Sequence, residues 1–170
     1  MIQSINQNIN ITDGNASILA LNKSNLKISI VASKFNGFVV DCLIKGCIES
    51  LNNHGVSSNC LELILVPGAM ELPLAVQNII IKSEISGVVA LGAVIRGATP
   101  HFDYVAGECM SGLSKLSLKH NKPIGIGVLT TDTVEQAIDR SGCKSGNKGS
   151  EAALTVLAMI GLIHKLKAEQ

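Results

Sequence analysis

Aromatic side chains are scarce in this sequence: it has no tryptophan, one tyrosine and three phenylalanines. Leu, Ile, Val and Ala therefore supply almost all of its 46% apolar content. Charge is scarce too, at 16%, and mean hydropathy is positive. A chain this dry needs either a large core or surface buried between subunits. Long apolar runs are also lacking. Residues 85–95 and 152–163 make runs of about a dozen residues and carry Gly, Ser or Thr, whereas a membrane span takes roughly 20. The opening MIQSINQNIN has no basic segment leading into an apolar one. No secretory signal is read, and a cytoplasmic protein with no membrane partner is expected.

Fourteen basic and thirteen acidic residues nearly balance, which leaves no electrostatic footprint for nucleic acid. The five cysteines (Cys42, Cys47, Cys60, Cys109 and Cys143) are odd in number and contain no CxxC pair, so reduced thiols are expected. His54, His101, His120 and His164 show no HExxH or similar spacing. Asp103 stands two positions from His101, off its helical face, so no metal site is read.

What is present is an alternation of short apolar runs and amphipathic stretches. Up to about Leu26 the sequence is Asn-rich and weakly patterned, with room for one short strand at 17–21. Strands are then expected at 27–32, 61–66, 87–95 and 124–129, and helices at 38–53, 71–82, 100–120, 133–140 and 150–167. Strict alternation implies parallel βαβ units with helices on both faces of the sheet. The continuous apolar strands agree, because a parallel sheet is buried on both sides. With no repeat or linker, residues 1–170 read as a single domain, of which 1–25 form an N-terminal arm. Ligands of such sheets bind beyond the carboxyl ends of the strands. Functional residues are therefore expected after Ala32, Val66, Ile95 and Leu129.

Four segments lie there. In Arg96-Gly97-Ala98-Thr99-Pro100-His101, Thr is a good N-cap and Pro suits a first helical position. Free N–H groups at a helix start favour an anion, and Gly97 lets backbone approach it. A histidine in that first turn can both take and give protons near neutral pH. Taken alone, the hexapeptide also fits an ordinary cap with an exposed His. GCKSGNKG at 142–149 departs from the GxxxxGK[ST] phosphate loop; it reads instead as a Gly-rich turn presenting Lys148, with Arg140 on the preceding helix. Both cations suit a phosphate or polyol, or simply a solvated basic loop. VPGAME at 66–71 places Glu71 at a helix start, where the dipole favours a carboxylate. Phe35-Asn36-Gly37 puts a rare aromatic where a planar ligand can stack, although packing explains most phenylalanines.

VASKFN (31–36), VPGAMELP (66–73), LGAVIRGATPHFDYV (91–105), GVLTTDTVEQAIDRSG (127–142) and GNKG (146–149) occur in order. Together they resemble the lumazine synthase family over nearly the whole chain from Leu26 onward. The resemblance implies a three-layer, flavodoxin-like sandwich around a four-stranded parallel sheet. It implies condensation of 5-amino-6-(D-ribitylamino)uracil with 3,4-dihydroxy-2-butanone 4-phosphate, giving 6,7-dimethyl-8-ribityllumazine, phosphate and water, without metal or organic cofactor. By the same resemblance, His101 is the proton donor and acceptor, Arg140 clamps phosphate, and Ala98 and Thr99 contact it. Phe35 stacks on the pyrimidine. Ala69, Met70 and Glu71, with Ala93, Val94 and Ile95, hold the pyrimidine and ribityl chain, and Asn36 and Lys148 add ribityl contacts.

Met70 and Ile126 depart from the family pattern, which usually has Phe or Tyr at the first position and Phe at the second. Weaker pyrimidine binding is expected from the loss. The resemblance further implies a homo-oligomer, a pentamer or a sixty-subunit icosahedral shell, with sites between subunits. The N-terminal segment would add a strand to a neighbour's sheet, and Phe35 and His101 of one site are allowed to come from different chains. Two alternatives stay open: a non-catalytic cage binding flavin-like ligands, and the related archaeal-type riboflavin synthase, which needs no phosphate clamp.

Overall fold

β-Branched and aliphatic runs form the strands of the computed structural model, which describes residues 14, 15, 18, 21–23, 26–82 and 84–168. Strand β1 (Ile28–Ser33) is buried at every position, and β3 (Gly87–Ile95) at all but its last. Strands β2 (Leu61–Val66) and β4 (Ile124–Thr131) flank them in the order β2-β1-β3-β4, all parallel. The chain thus steps outward from β1 to β2, then returns to the other side of β1 for β3. Such a reversal opens a crevice at the carboxyl ends of β1 and β3.

Helices cover both faces, giving the expected three-layer α/β sandwich. Helix α1 (Gly37–Asn53) and helix α5 (Lys148–Ala168) pack on one face through Val39, Leu43, Cys47, Val156 and Leu157. Helix α2 (Leu72–Lys82) and helix α3 (His101–His120) cover the other through Leu72, Val76, Cys109 and Leu113. Helix α4 (Val134–Arg140) follows β4 and buries Ala137. A Cβ at Gly149 would collide with the Leu43 carbonyl, so α5 approaches α1 closely only because glycine stands there. Among the described residues, α5 is the one helix long and apolar enough to cross a membrane. Its Ala152, Ala153, Val156, Leu157 and Ile160, however, are buried in the core of this domain.

Element bounds match the expected ones at β2 and β3 and shift elsewhere for identifiable reasons. Strand β4 runs two residues further because Thr130 and Thr131 pair with Val94 and Ile95. Helix α5 begins at 148 because the Asn147 side-chain oxygen accepts from the Gly149 and Ser150 N–H groups at 2.8 and 3.1 Å, an N-cap. Residues 69–71 form a 3-10 turn ahead of α2, so Glu71 closes that turn and does not open the helix. Helix α3 starts at His101 with Pro100 as its cap residue and no side-chain cap, so Thr99 does not cap it. Within the expected strand at 17–21, Ile18 is helical and buried against the core, and residues 17, 19 and 20 lie outside the described ones, as does most of the arm.

Candidate active site

The loop after β1 is held by its neighbours on both sides. The Lys34 and Phe35 N–H groups donate to the carbonyls of Val66 and Pro67 at 2.8 and 3.1 Å. This extends the β1–β2 pairing past the strand ends and fixes Phe35 beside the Pro67-Gly68 turn. Asn36 takes the left-handed conformation at φ 57°, and its carbonyl accepts from Val39 and Val40 to start α1. Asparagine tolerates that conformation better than most residues. Its side-chain Nδ2 donates to the Ala93 carbonyl at 2.9 Å, across to the end of β3. The turn after β2 is closed by Glu71, whose Oε2 accepts from the Gly68 N–H at 2.8 Å.

A cavity of about 410 Å³ opens where these ends meet the start of α3. Phe35, Ala69, Met70, Glu71, Ala93, Val94, Ile95, Thr99 and His101 all line it. Phe35 and His101 thus line one cavity of one chain. Phe35 is 70% exposed and Met70 50%, as befits side chains that await a partner surface or ligand. No hydrogen bond or ion pair among the described residues engages the His101 imidazole. A cavity of this size and largely apolar lining suits a small planar ligand with a polar tail.

Gly68, Gly97, Phe102 and Val105 also line the pocket, and of these only Gly97 was read as a ligand contact. Phe102 and Val105 sit three apart on α3, so one helix face carries both inward. That spacing was visible in HFDYV. A Cβ at Gly97 would meet nothing within 4 Å, and its backbone is not left-handed; the glycine keeps open space that the fold does not require.

Five expected site residues do not line this pocket. Asn36 stands at its edge through the bond to the Ala93 carbonyl. Ala98 sits in the same turn as Gly97 and Thr99 but does not line the cavity. Ile126 is half-buried on the edge strand β4. Arg140 ends α4, where it is exposed and donates only to the Gln136 carbonyl of its own helix at 3.2 Å. Lys148 opens α5 and pairs with Glu151 at 2.6 Å. A larger cavity, about 630 Å³, lies between α1, α5 and the α4–α5 connection. None of the expected residues lines it, so size alone does not mark the site. Among the described residues no group of three or more His, Cys, Asp and Glu side chains is placed to hold a metal ion.

The family model for 6,7-dimethyl-8-ribityllumazine synthase matches residues 25–164. The chain belongs to the lumazine synthase family. It is accordingly a transferase of riboflavin biosynthesis. The matched span runs from the residues just before β1 into the last turns of α5. It therefore takes in every strand of the sheet and every residue of the pocket. Lumazine synthases act on small molecules and usually assemble as oligomers.

Proposed function

We propose that this lumazine synthase homologue condenses 5-amino-6-(D-ribitylamino)uracil with 3,4-dihydroxy-2-butanone 4-phosphate in the cytoplasm. The products are 6,7-dimethyl-8-ribityllumazine, phosphate and water. The substrate amine attacks the ketone and forms an imine with loss of water, phosphate is eliminated, and ring closure expels a second water. The observation that carries this reading is a single pocket at the switch point in which Phe35 and His101 face a cavity of about 410 Å³.

In that pocket Phe35 offers its exposed ring to the pyrimidine, and Ala69, Met70 and Glu71 meet its polar edge. Ala93, Val94, Ile95 and Asn36 lie along the ribityl chain. The turn of Gly97, Ala98 and Thr99 receives the phosphate at the start of α3, whose dipole favours an anion. His101 shuttles protons between substrate and leaving group, which is typically worth 10²–10⁴ in rate, roughly. Ile126, Arg140 and Lys148 come from a neighbouring copy in a pentamer, which is why they stand away from the pocket of their own chain. Exposed Leu63, Leu65, Leu74, Ile81 and Leu118 supply apolar surface for such assembly.

Purified protein incubated with both substrates should develop lumazine fluorescence and release one phosphate per product. Binding of lumazine without turnover would favour a non-catalytic cage, and turnover without phosphate release a riboflavin synthase. His101→Ala and Arg140→Ala should each slow turnover by about tenfold or more. If neither does, the role assignments are wrong.

A further inference from the structure

Arg96 has no part in the condensation described above, yet it stands where three pieces of the site meet. It is the first residue after β3, and its N–H donates to the Thr131 carbonyl at 2.9 Å, continuing the β3–β4 pairing. Three of the five N–H donors of its guanidinium are engaged. Nη1 and Nη2 bind the two oxygens of Asp103 at 3.3 and 3.1 Å, and Nε binds Asp132 at 2.8 Å. The same group lies over the Phe102 ring, 4.2 Å from its centre. Asp103 is in the first turn of α3, two residues after His101. Asp132 opens the connection to α4, which ends at Arg140. Phe102 lines the pocket.

Exposed ion pairs contribute little to stability, and all three side chains here are substantially exposed. The arrangement matters more for the field it creates. Two carboxylates sit on the residue that leads into the Gly97–Thr99 turn, and uncovered they would set like charge against an incoming phosphate. A single planar fork draws both carboxylates onto itself, a task for which arginine is suited and lysine is not. Three of its five N–H donors are committed to Asp103 and Asp132, so its charge is directed at those carboxylates.

We propose that Arg96 is a positioning residue of the phosphate subsite, screening Asp103 and Asp132 from the bound anion while holding the His101 turn against the β4–α4 connection. This rests on the reading that phosphate binds at that turn. The test measures the orthophosphate dissociation constant by calorimetry, without turnover, and the KM and kcat for butanone phosphate. The variants are Arg96→Gln, Arg96→Lys and Arg96→Gln with Asp103→Asn, each checked for folding by circular dichroism.

Arg96→Gln should weaken orthophosphate binding and raise KM by about tenfold, with kcat changed less than about threefold. Arg96→Lys should lose about threefold. Adding Asp103→Asn should restore most of the affinity in either background, and the defect should shrink as salt is raised. A merely structural role would not be rescued by removing a carboxylate. If Arg96→Gln fails to fold, Arg96→Lys with and without Asp103→Asn carries the same comparison.

Unchanged orthophosphate affinity in the single variant, a double variant no better than the single, or a wild type that does not bind orthophosphate would each overturn the inference. Orthophosphate binding that follows the predicted order without any lumazine formation would uphold it and sink the condensation instead. Wild-type turnover and KM in Arg96→Gln would do the reverse.

Discussion

The side-chain amide of Asn36 bonds the Ala93 carbonyl at 2.9 Å, joining the loop after β1 to the end of β3 across the point where strand order reverses. This bond ties the loop that carries Phe35 to the strand end that lines the pocket, and the left-handed backbone of Asn36 aims it. Two costs should therefore separate by mutation. Asn36→Ala loses the bond and strains the backbone, for about 1–3 kcal/mol in chemical denaturation. Asn36→Gly loses only the bond and should cost about 1 kcal/mol less. Equal losses would show that the left-handed conformation is not maintained.

The pyrimidine half of the pocket should gain from aromatic replacement. Met70 lines the cavity half-exposed, and a thioether recovers only part of the stacking a ring provides. Met70→Phe should tighten binding of ribitylaminouracil by a few-fold to about tenfold, matching the roughly 0.5–1.5 kcal/mol of an aromatic pair. Ile126→Phe should do likewise only if a neighbouring copy brings residue 126 to this pocket. Fluorescence titration of each variant reads both effects, and no gain from either would end the idea that these positions weaken binding.

Two glycines should respond in opposite ways to the same methyl group. At Gly149 the added Cβ meets the Leu43 carbonyl, so Gly149→Ala should destabilise the fold by about 1–3 kcal/mol through overpacking. At Gly97 the methyl enters open space. Gly97→Ala should leave the denaturation midpoint unchanged while raising KM for butanone phosphate. Loss of stability at Gly97 would refute its assignment to the ligand.

Stability should decline at alkaline pH for a reason located in the core. Burial pushes the Cys47 thiol up to about 12 and the Cys109 thiol up to about 11, from an ordinary 9.0. In the unfolded chain both ionise near 9, so the unfolded state loses its protons first. The stability they confer is whole below that pH and is lost as pH rises toward the folded values. Urea midpoints should hold near pH 8 and fall from pH 9 to 11, with a shallower fall in Cys47→Ala/Cys109→Ala. An equally steep fall in the double variant would place the cause elsewhere.

Strand β3 was legible because a doubly covered sheet demands continuous aliphatic runs, and residues 87–95 hold only Gly besides. Helix starts fell within two residues of the expected ones; Thr133 caps α4 through the Gln136 N–H. Thr99 misled because Pro100, at ψ −2°, already takes the cap position, which shifts the hydroxyl off the helix end. The site was legible through its motifs, but its division was not. That Phe35 shares a cavity with His101 and not with Arg140 depends on where β4 lies in the sheet, and spacing along the chain does not encode strand order.

Strand β2 has a further consequence. Its outer edge pairs with no described strand, and Leu63 and Leu65 stand nearly half exposed along it. An open edge with aliphatic side chains is a template for any extended segment that reaches it. In the proposed pentamer dilution should therefore cost stability as well as company, and a chain newly released from synthesis exposes that edge to any unrelated strand until a copy covers it.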